Sequence, residues 1–524
     1  MNLRYIGLAL SALLLLSACG GGGGDGGGGD PPPPPPQNVQ ITITPDAIET
    51  PAEGTVAFTC AVTGSTNTAC TWRVDEQGGG TISTGGFYTA PTAQGTYHVT
   101  ATASADTSRT ARATVTVRPR QTGATPWVTA YYLGYYMTDG TFGQPPHTID
   151  MSAMTHLAIG RVAPGTGTID DVPQVAGDVI EAAGNFHNPD ASRYPGIAEE
   201  DYLIDRARAA GVKTLLMLGG MGDGEGFIRS SSDAVRPTFV RNIVDYMVEH
   251  DYDGLDLDWE DNLSDGGAGV DGEESLRRLV ALIHDVRAEA NSRARYRGAN
   301  APVLITFPGY GLSRNDYPDG TTGEPAVPVE QWRLDIAHAV DQYNLMSYGI
   351  GSVYDADGWQ SWFTSPIFGE TGSTPFSLDY SVRKYVAAGV PRSRLGIGIG
   401  FFGIYYNPGV TGPYQNISNL QLDDNALAWN RLLEDGYFNT GDVRWHELSK
   451  STYRVYSGAG HRPPDGRAPA GLLSYEDQRS IAAKGQWVRE TGLGGTIVWA
   501  INYGHVQQDH SNPPLQWTKQ AFLQ

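Results

Sequence analysis

The sequence predicts an α/β fold, a parallel (β/α)8 barrel preceded by a small all-β sandwich. Two observations predict it. After Pro126, short apolar runs alternate with helical patterns until eight strand-like segments have accumulated. Between Gln37 and Arg118, brief β-rich runs are separated by turn-rich stretches. A chain of 524 residues is too long for one compact domain, so at least two folded units are expected. The formal charge of −21 argues against a nucleic-acid partner, which needs clustered Lys and Arg, and leaves neutral polymers open.

The elements follow in chain order. Arg4 and an apolar run from Ile6 to Leu16 are too short to span a bilayer and read as a cleaved signal, residues 1–19. Leu16-Ser17-Ala18-Cys19 resembles a bacterial lipobox. The resemblance implies that Cys19 is lipidated and tethers the protein to a membrane surface, in the periplasm or at the cell surface. Residues 20–36 are a Gly-rich coil followed by a stiff polyproline spacer. The next unit, residues 37–119, contains Val39–Ile43, Val56–Cys60, Thr71–Val74, Thr96–Ala101 and Ala113–Val117. Its Gly86-Phe-Tyr-Thr-Ala-Pro and Gly95-Thr-Tyr segments resemble bacterial immunoglobulin-like domains; a spacer is its first expected role, with a weak carbohydrate-binding module as the alternative. With Cys19 lipidated, only Cys60 and Cys70 remain of the three cysteines, and a disulfide between them is the expectation for an oxidising compartment.

The barrel, residues 124–524, has candidate strands at Trp127–Tyr132, Thr155–Arg161, Thr214–Leu218, Gly254–Trp259, Val303–Phe307, Gln342–Met346, Leu395–Gly400 and Gly495–Ala500. Between the fourth and fifth, Leu276, Leu279, Val280 and Ile283 mark one helix face, and Asp271, Glu273 and Glu274 lie near its positive end. Pro237 suits the first turn of another helix. A barrel of this kind carries its active site at the C-terminal ends of its strands.

The fourth strand is the unusual one. In Asp253-Gly-Leu-Asp256-Leu-Asp258-Trp-Glu260, alternation puts Asp256, Asp258 and Glu260 on one face at spacings of roughly 6.6 Å, and Leu255, Leu257 and Trp259 on the other. A solvated acidic edge would not interleave two leucines and a tryptophan. Crowded, buried carboxylates raise one another's pKa, so that one can serve as a general acid near neutral pH.

This run resembles the signature Asp-x-x-Asp-x-Asp-x-Glu of glycoside hydrolase family 18, the chitinases and their relatives, which are TIM barrels. Lys213-Thr-Leu-Leu-Met217-Leu-Gly219-Gly220 is similar to the family's third-strand motif, with Met217 where a Ser is usual. Tyr343-Asn-Leu-Met346-Ser-Tyr348-Gly349 resembles its sixth-strand motif, with Gly349 in place of Asp. Leu395–Gly403 and Gly494–Ala500 resemble the seventh and eighth strands, and a small α+β insertion at 404–471 is implied between them. Arg161 stands where an aromatic is common, and two roles are open to it: pairing with the carboxylates or touching substrate.

The resemblance implies a hydrolase that cleaves β-1,4-linked N-acetylglucosamine in chitin or related oligosaccharides with the substrate's own acetamido oxygen as nucleophile. Glu260 is then the acid and base, Asp258 orients the acetamido group, Asp256 shares a proton with it, and Tyr348 completes the catalytic set. Asp253, Trp499, Met346 and Tyr131 are assigned to substrate binding. No metal or cofactor is required, and a monomer is expected. An endo-β-N-acetylglucosaminidase acting on N-glycans and a non-catalytic carbohydrate-binding protein remain alternatives. The loop Asp265–Asp271 reads as a solvated acidic loop rather than a calcium site.

Overall fold

The computed structural model describes residues 38–44, 46–51, 55–82, 84, 86–91, 93–118, 125–136, 139–166, 175–181, 199–297, 302–312, 329–352, 359–406, 409–417, 421–422, 427–457 and 471–524. The expected signal, Cys19 and the Gly/Pro spacer lie outside the described residues.

Eight parallel strands form a closed ring: β1 (Trp127–Leu133), β2 (His156–Pro164), β3 (Lys213–Gly219), β4 (Gly254–Asp258), β5 (Leu304–Gly309), β6 (Gln342–Leu345), β7 (Leu395–Gly400) and β8 (Gly495–Trp499). The ring closes because β1 pairs with both β2 and β8. Each of the eight lies where the apolar runs predict, with ends moved by a few residues. β4 stops at Asp258, so Trp259 and Glu260 lie just beyond it. A short strand, Val179–Glu181, adds antiparallel to the end of β2.

The strands are buried and largely apolar, as parallel strands under helices must be, and their buried polar residues include Asp256, Asp258, Thr306 and Asn344. Leu255, Leu257 and Trp259 are buried, and Trp259 stacks on Phe227 at 4.9 Å, so the apolar face of the acidic run meets the covering layer. The covering helices include α1 (Glu199–Ala209), α2 (Arg236–Glu249), α3 (Gly272–Ser292) and α4 (Gln331–Ala339). Asp271 caps α3 by accepting from Glu274 N at 3.0 Å. The buried stripe of α3 is Leu279, Leu282, Ile283 and Val286, with Leu276 and Val280 only half-buried beside it. Pro237 sits in the first turn of α2.

On β7, isoleucines alternate with glycines for a steric reason. A Cβ on Gly398 would lie 2.6 Å from the ring of Tyr348, and one on Gly400 would lie 2.6 Å from Phe402. Bare backbone on that face gives the aromatic rings of the barrel mouth their space. Between β7 and β8 a five-stranded antiparallel sheet is inserted, in the order Gln421–Leu422, Ile404–Tyr406, Gly471–Tyr475, Ser451–Tyr456 and Asp442–His446, with a helix at Trp429–Glu434.

The N-terminal unit holds a four-stranded sheet, a three-stranded sheet and the pair Gln40–Thr44 with Thr59–Thr63. Ile43, Phe58, Tyr88, Val99 and Val115 form its core. Cys60 and Cys70 are joined by a disulfide across a sequence separation of 10. Replacing both by Ser is expected to lower the stability of this unit by about 2–3 kcal/mol, the loop-entropy value for so small a ring, while turnover by the barrel stays unchanged. Thermal melts of the two proteins, with turnover recorded alongside, check it.

Candidate active site

The acidic face of β4 points into the barrel. Asp256 is fully buried, with Met217 of β3 and Thr306 of β5 as its ladder neighbours. Its two oxygens are satisfied separately: Thr306 Oγ1 donates to Oδ1, and Tyr131 OH donates to Oδ2 at 2.9 Å. Asp258, one rung higher, is 3% exposed, and its Oδ1 has no hydrogen-bond partner among the described residues. Glu260 is half-buried beyond the strand end, where its backbone carbonyl accepts from Tyr310 OH.

Burial pushes the Asp256 carboxyl up to about 6, against the hydrogen bonds from Thr306 and Tyr131 that favour its ionised form. Asp258 is also raised well above its ordinary value, first by burial, then by the negative charges of Glu260 and Asp256, with the Arg161 guanidinium opposing them. Two carboxylates so placed titrate as a unit. Burial, Asp256 and Asp258 also hold Tyr131 in its neutral, proton-donating form.

The mouth is lined from neighbouring strands. Tyr348 follows β6 and packs edge-on to Phe402 at 5.8 Å, with Met346 half-buried two residues before it. Trp499, at the end of β8, is half-buried with its ring 5.4 Å from that of Tyr131. Gly349 has φ +63°, and its N–H donates to Thr364 Oγ1 at 3.1 Å. Arg161 pairs with the fully buried Asp223, a residue that sequence reasoning missed because it sits in the loop after β3 outside any periodic pattern. Thr306 and Tyr310 were missed as well: each looks like ordinary strand material until β5 is placed next to β4.

Two expected binding residues take other roles. Asp253 precedes β4, at the end of the strand opposite the mouth, and its carboxylate accepts from Lys213 Nζ at 3.0 Å, Thr214 N at 3.0 Å and Arg295 at 3.2 Å. It fastens the starts of β3 and β4 and cannot reach a sugar at the mouth. Tyr131 is 1% exposed with its hydroxyl committed to Asp256, so it supports the acidic pair from behind.

In the acidic loop, Asp261 accepts from Gly222 N and Gly224 N at 3.0 Å, and Asp271 caps α3. Residues able to hold a metal lie elsewhere. Glu181, Glu200 and His250 each offer a ligand atom within 4.8 Å of the others. Tyr246 and Tyr252 already donate to Glu200, and His250 Nδ1 lies 2.9 Å from Asp201.

A closed parallel barrel with a buried carboxylate pair and a third carboxylate at the end of its fourth strand defines a barrel glycoside hydrolase. The profile of Glycosyl hydrolases family 18 matches residues 131–504, and the chain belongs to that family. Chitinase 1 of Aphanocladium album is 23% identical over 381 residues, covering 70% of this chain and 79% of the relative. Chitotriosidase-1 of Mus musculus is 25% identical over 326 residues, 56% of this chain and 58% of the relative. Among solved structures, the Group IV chitinase of Ostrinia furnacalis matches with a TM-score of 0.56 and 17% identity over 76% of this chain and 100% of that one. The Class V chitinase of Nicotiana tobaccum, solved with NAG4, matches with a TM-score of 0.54 and 19% identity over 76% and 99%. At these identities the structural likeness concerns the fold.

Asp253→Ala is expected to lower stability by about 1–3 kcal/mol while leaving kcat unchanged below the melting range. Burial raises the Asp253 carboxyl, but Thr214 N, Lys213 and Arg295 together hold it below its ordinary value. Its contribution is therefore full above about pH 4 and fades as pH falls through the depressed value. Melting both proteins across this range checks the sign: their difference in Tm must shrink toward acid. Gly349→Asp, which restores the usual family residue, is expected to cost under about 1 kcal/mol, because Asp is one of the few L residues that adopt that φ and a Cβ there meets only ordinary contacts at 3.6 Å, with no gain in turnover. A raised Tm or faster hydrolysis would contradict this.

Proposed function

We propose that the protein is a chitinase-like hydrolase that cleaves β-1,4 linkages between N-acetylglucosamine units by a substrate-assisted, retaining mechanism. The observation that carries this reading is Asp258, buried between Asp256 and Glu260 with an Oδ1 that has no partner among the described residues. An orphaned buried carboxylate oxygen is costly until a donor arrives, and the N–H of a substrate's 2-acetamido group is such a donor.

In this mechanism Glu260 gives its proton to the glycosidic oxygen as the C1–O bond breaks, and the acetamido carbonyl oxygen bonds to C1. Asp258 holds the acetamido N–H, so the positive oxazolinium forms against a negative carboxylate. Asp256, bonded to Thr306 and Tyr131, takes the share of the pair's proton that Asp258 gives up. Water, deprotonated by Glu260, then attacks C1 from the face the leaving group vacated as the bond between C1 and the acetamido oxygen breaks and the acetamide is restored, and configuration is retained. Tyr348 donates to the acetamido oxygen, Trp499 lies under the sugar being attacked, and Met346 lines the floor. The substrate is chitin or an N-acetylglucosamine oligosaccharide, in keeping with the chitinases among the relatives and with related chitinases solved with (GlcNAc)3 and NAG4. We further propose that the enzyme works as a monomer, exported by its signal and held at a bacterial membrane surface through lipidated Cys19.

The test is product analysis by proton NMR on chitin oligomers and on an N-glycan, with the form starting at Gln37 and its Glu260→Gln variant. Release of the β-anomer from chitin oligomers by wild type, with the variant slower by at least about 10²-fold, is expected. Cleavage of the N-glycan alone would move the substrate assignment to endoglycosidase. Binding without cleavage of either would overturn the enzymatic reading.

A further inference from the structure

The second strand carries a feature that the mechanism above does not use. The ladder between β2 and β3 runs Gly160 to Met217 and then skips to Val162 with Leu218, so Arg161 is the extra residue of a bulge. Bulges beside active sites re-aim one side chain out of the ladder. Here the freed side chain turns to Asp223, and Arg161 Nη1 also lies 3.4 Å from Gly219 O. Gly220 lies between this pair and the acidic strand: a Cβ built on it would be 4.0 Å from Arg161 Cδ and 3.9 Å from Asp258 Oδ2. Gly220 N donates to Asp258 O at 2.8 Å, which fastens the loop carrying Asp223 to the end of β4.

We propose that Arg161, anchored by Asp223, is a positioning residue of this site, presenting a fixed positive charge to the back of Asp258 and so setting how that carboxylate meets the acetamido group. The inference rests on the substrate-assisted reading. Around Asp258, Tyr131 comes from β1, Arg161 from β2, Asp223 from the loop after β3, Asp256 and Glu260 from the β4 segment and Tyr310 from the end of β5, with Tyr348 beside Tyr131. Four of these are carboxylates, counting Asp258 itself, and three are phenols. Among the leading influences on Asp258, Arg161 supplies the positive charge. Met217, which fills the space under Gly160 and Gly220, brings no hydrogen-bond donor to the pair, so the guanidinium is what opposes the accumulated negative charge.

Removing the guanidinium disfavours ionised Asp258, so the acid-side loss of activity should begin at higher pH. The experiment measures kcat and KM against pH on a fluorogenic chitooligoside. It compares wild type, Arg161→Lys, the double variant Arg161→Met/Asp223→Asn, which leaves no buried charge unpaired, and Glu260→Gln. The double variant is expected to lose about tenfold or more in kcat with KM little changed, and its acid limb should move up by about half a pH unit, because Asp223→Asn removes a smaller charge effect of opposite sign together with the guanidinium. Arg161→Lys keeps the charge and should keep the limb. An unshifted limb in a folded double variant overturns the proposal. If the double variant does not fold, Arg161→Lys decides: a limb held at the wild-type position supports it, and a shifted limb overturns it. Should Glu260→Gln match wild type, the functional reading fails and takes this inference with it. If Glu260→Gln is inactive while the limb stays put, the Arg161 inference alone fails.

Discussion

Two carboxylates buried on consecutive inward rungs of one strand are the constraint around which the barrel is arranged. Asp256 and Asp258 are both raised by burial, so the folded state holds protons at a pH where the unfolded chain has released them. Their burial therefore subtracts from stability as pH rises above the ordinary carboxylate range. The surrounding strands limit that cost unevenly. Thr306 and Tyr131 give each oxygen of Asp256 a donor, whereas Asp258 keeps one oxygen without a donor among the described residues. The unevenness is chemically useful, because the satisfied carboxylate is a stable reservoir and the unsatisfied one is ready for a ligand.

The residues that support the pair are recruited by geometry from distant parts of the chain. β1 supplies Tyr131 and β5 supplies Thr306, while the glycine face of β7 leaves room for Tyr348. None of these works without ring closure, since β1 is held on one side by β2 and on the other by β8. The apolar side of β4 contributes equally: Trp259 stacked on Phe227 fixes the strand end from which Glu260 projects.

Much of this was legible in the sequence because it depends on period. Alternation in the acidic run sorts Asp256 and Asp258 from Leu255 and Leu257 without any knowledge of neighbours. What was not legible depends on register or direction. Asp253 belongs to the same acidic motif, yet it stands before the first residue of the strand, and the bonds from Thr214, Lys213 and Arg295 that occupy it there come from segments that alternation does not bring together. Arg161 lies on a bulge, a backbone irregularity with no sequence period, and its partner Asp223 comes from a loop. Tyr131 looked like a residue turned toward the site and is, but its hydroxyl is already occupied. The expected stripe of α3 shifted for a related reason: helical spacing identifies the apolar side, and only the angle of docking decides that Leu282 and Val286 are covered while Leu276 and Val280 sit at the margin.

Ring closure also bears on how the protein acquires its structure. Leu133 N donates to Asn502 Oδ1, and Asn502 returns a bond to Leu133 O, across 369 residues. Contacts so remote in sequence carry a large loop-closure entropy and slow the search for the native state. The last barrel strand is synthesised after every other one, so until it arrives β1 has one open edge and the acidic pair has no sealed interior. The N-terminal unit, whose disulfide spans 10 residues, is under no such delay. The order of synthesis thus allows the N-terminal unit to close before the barrel can seal its cavity.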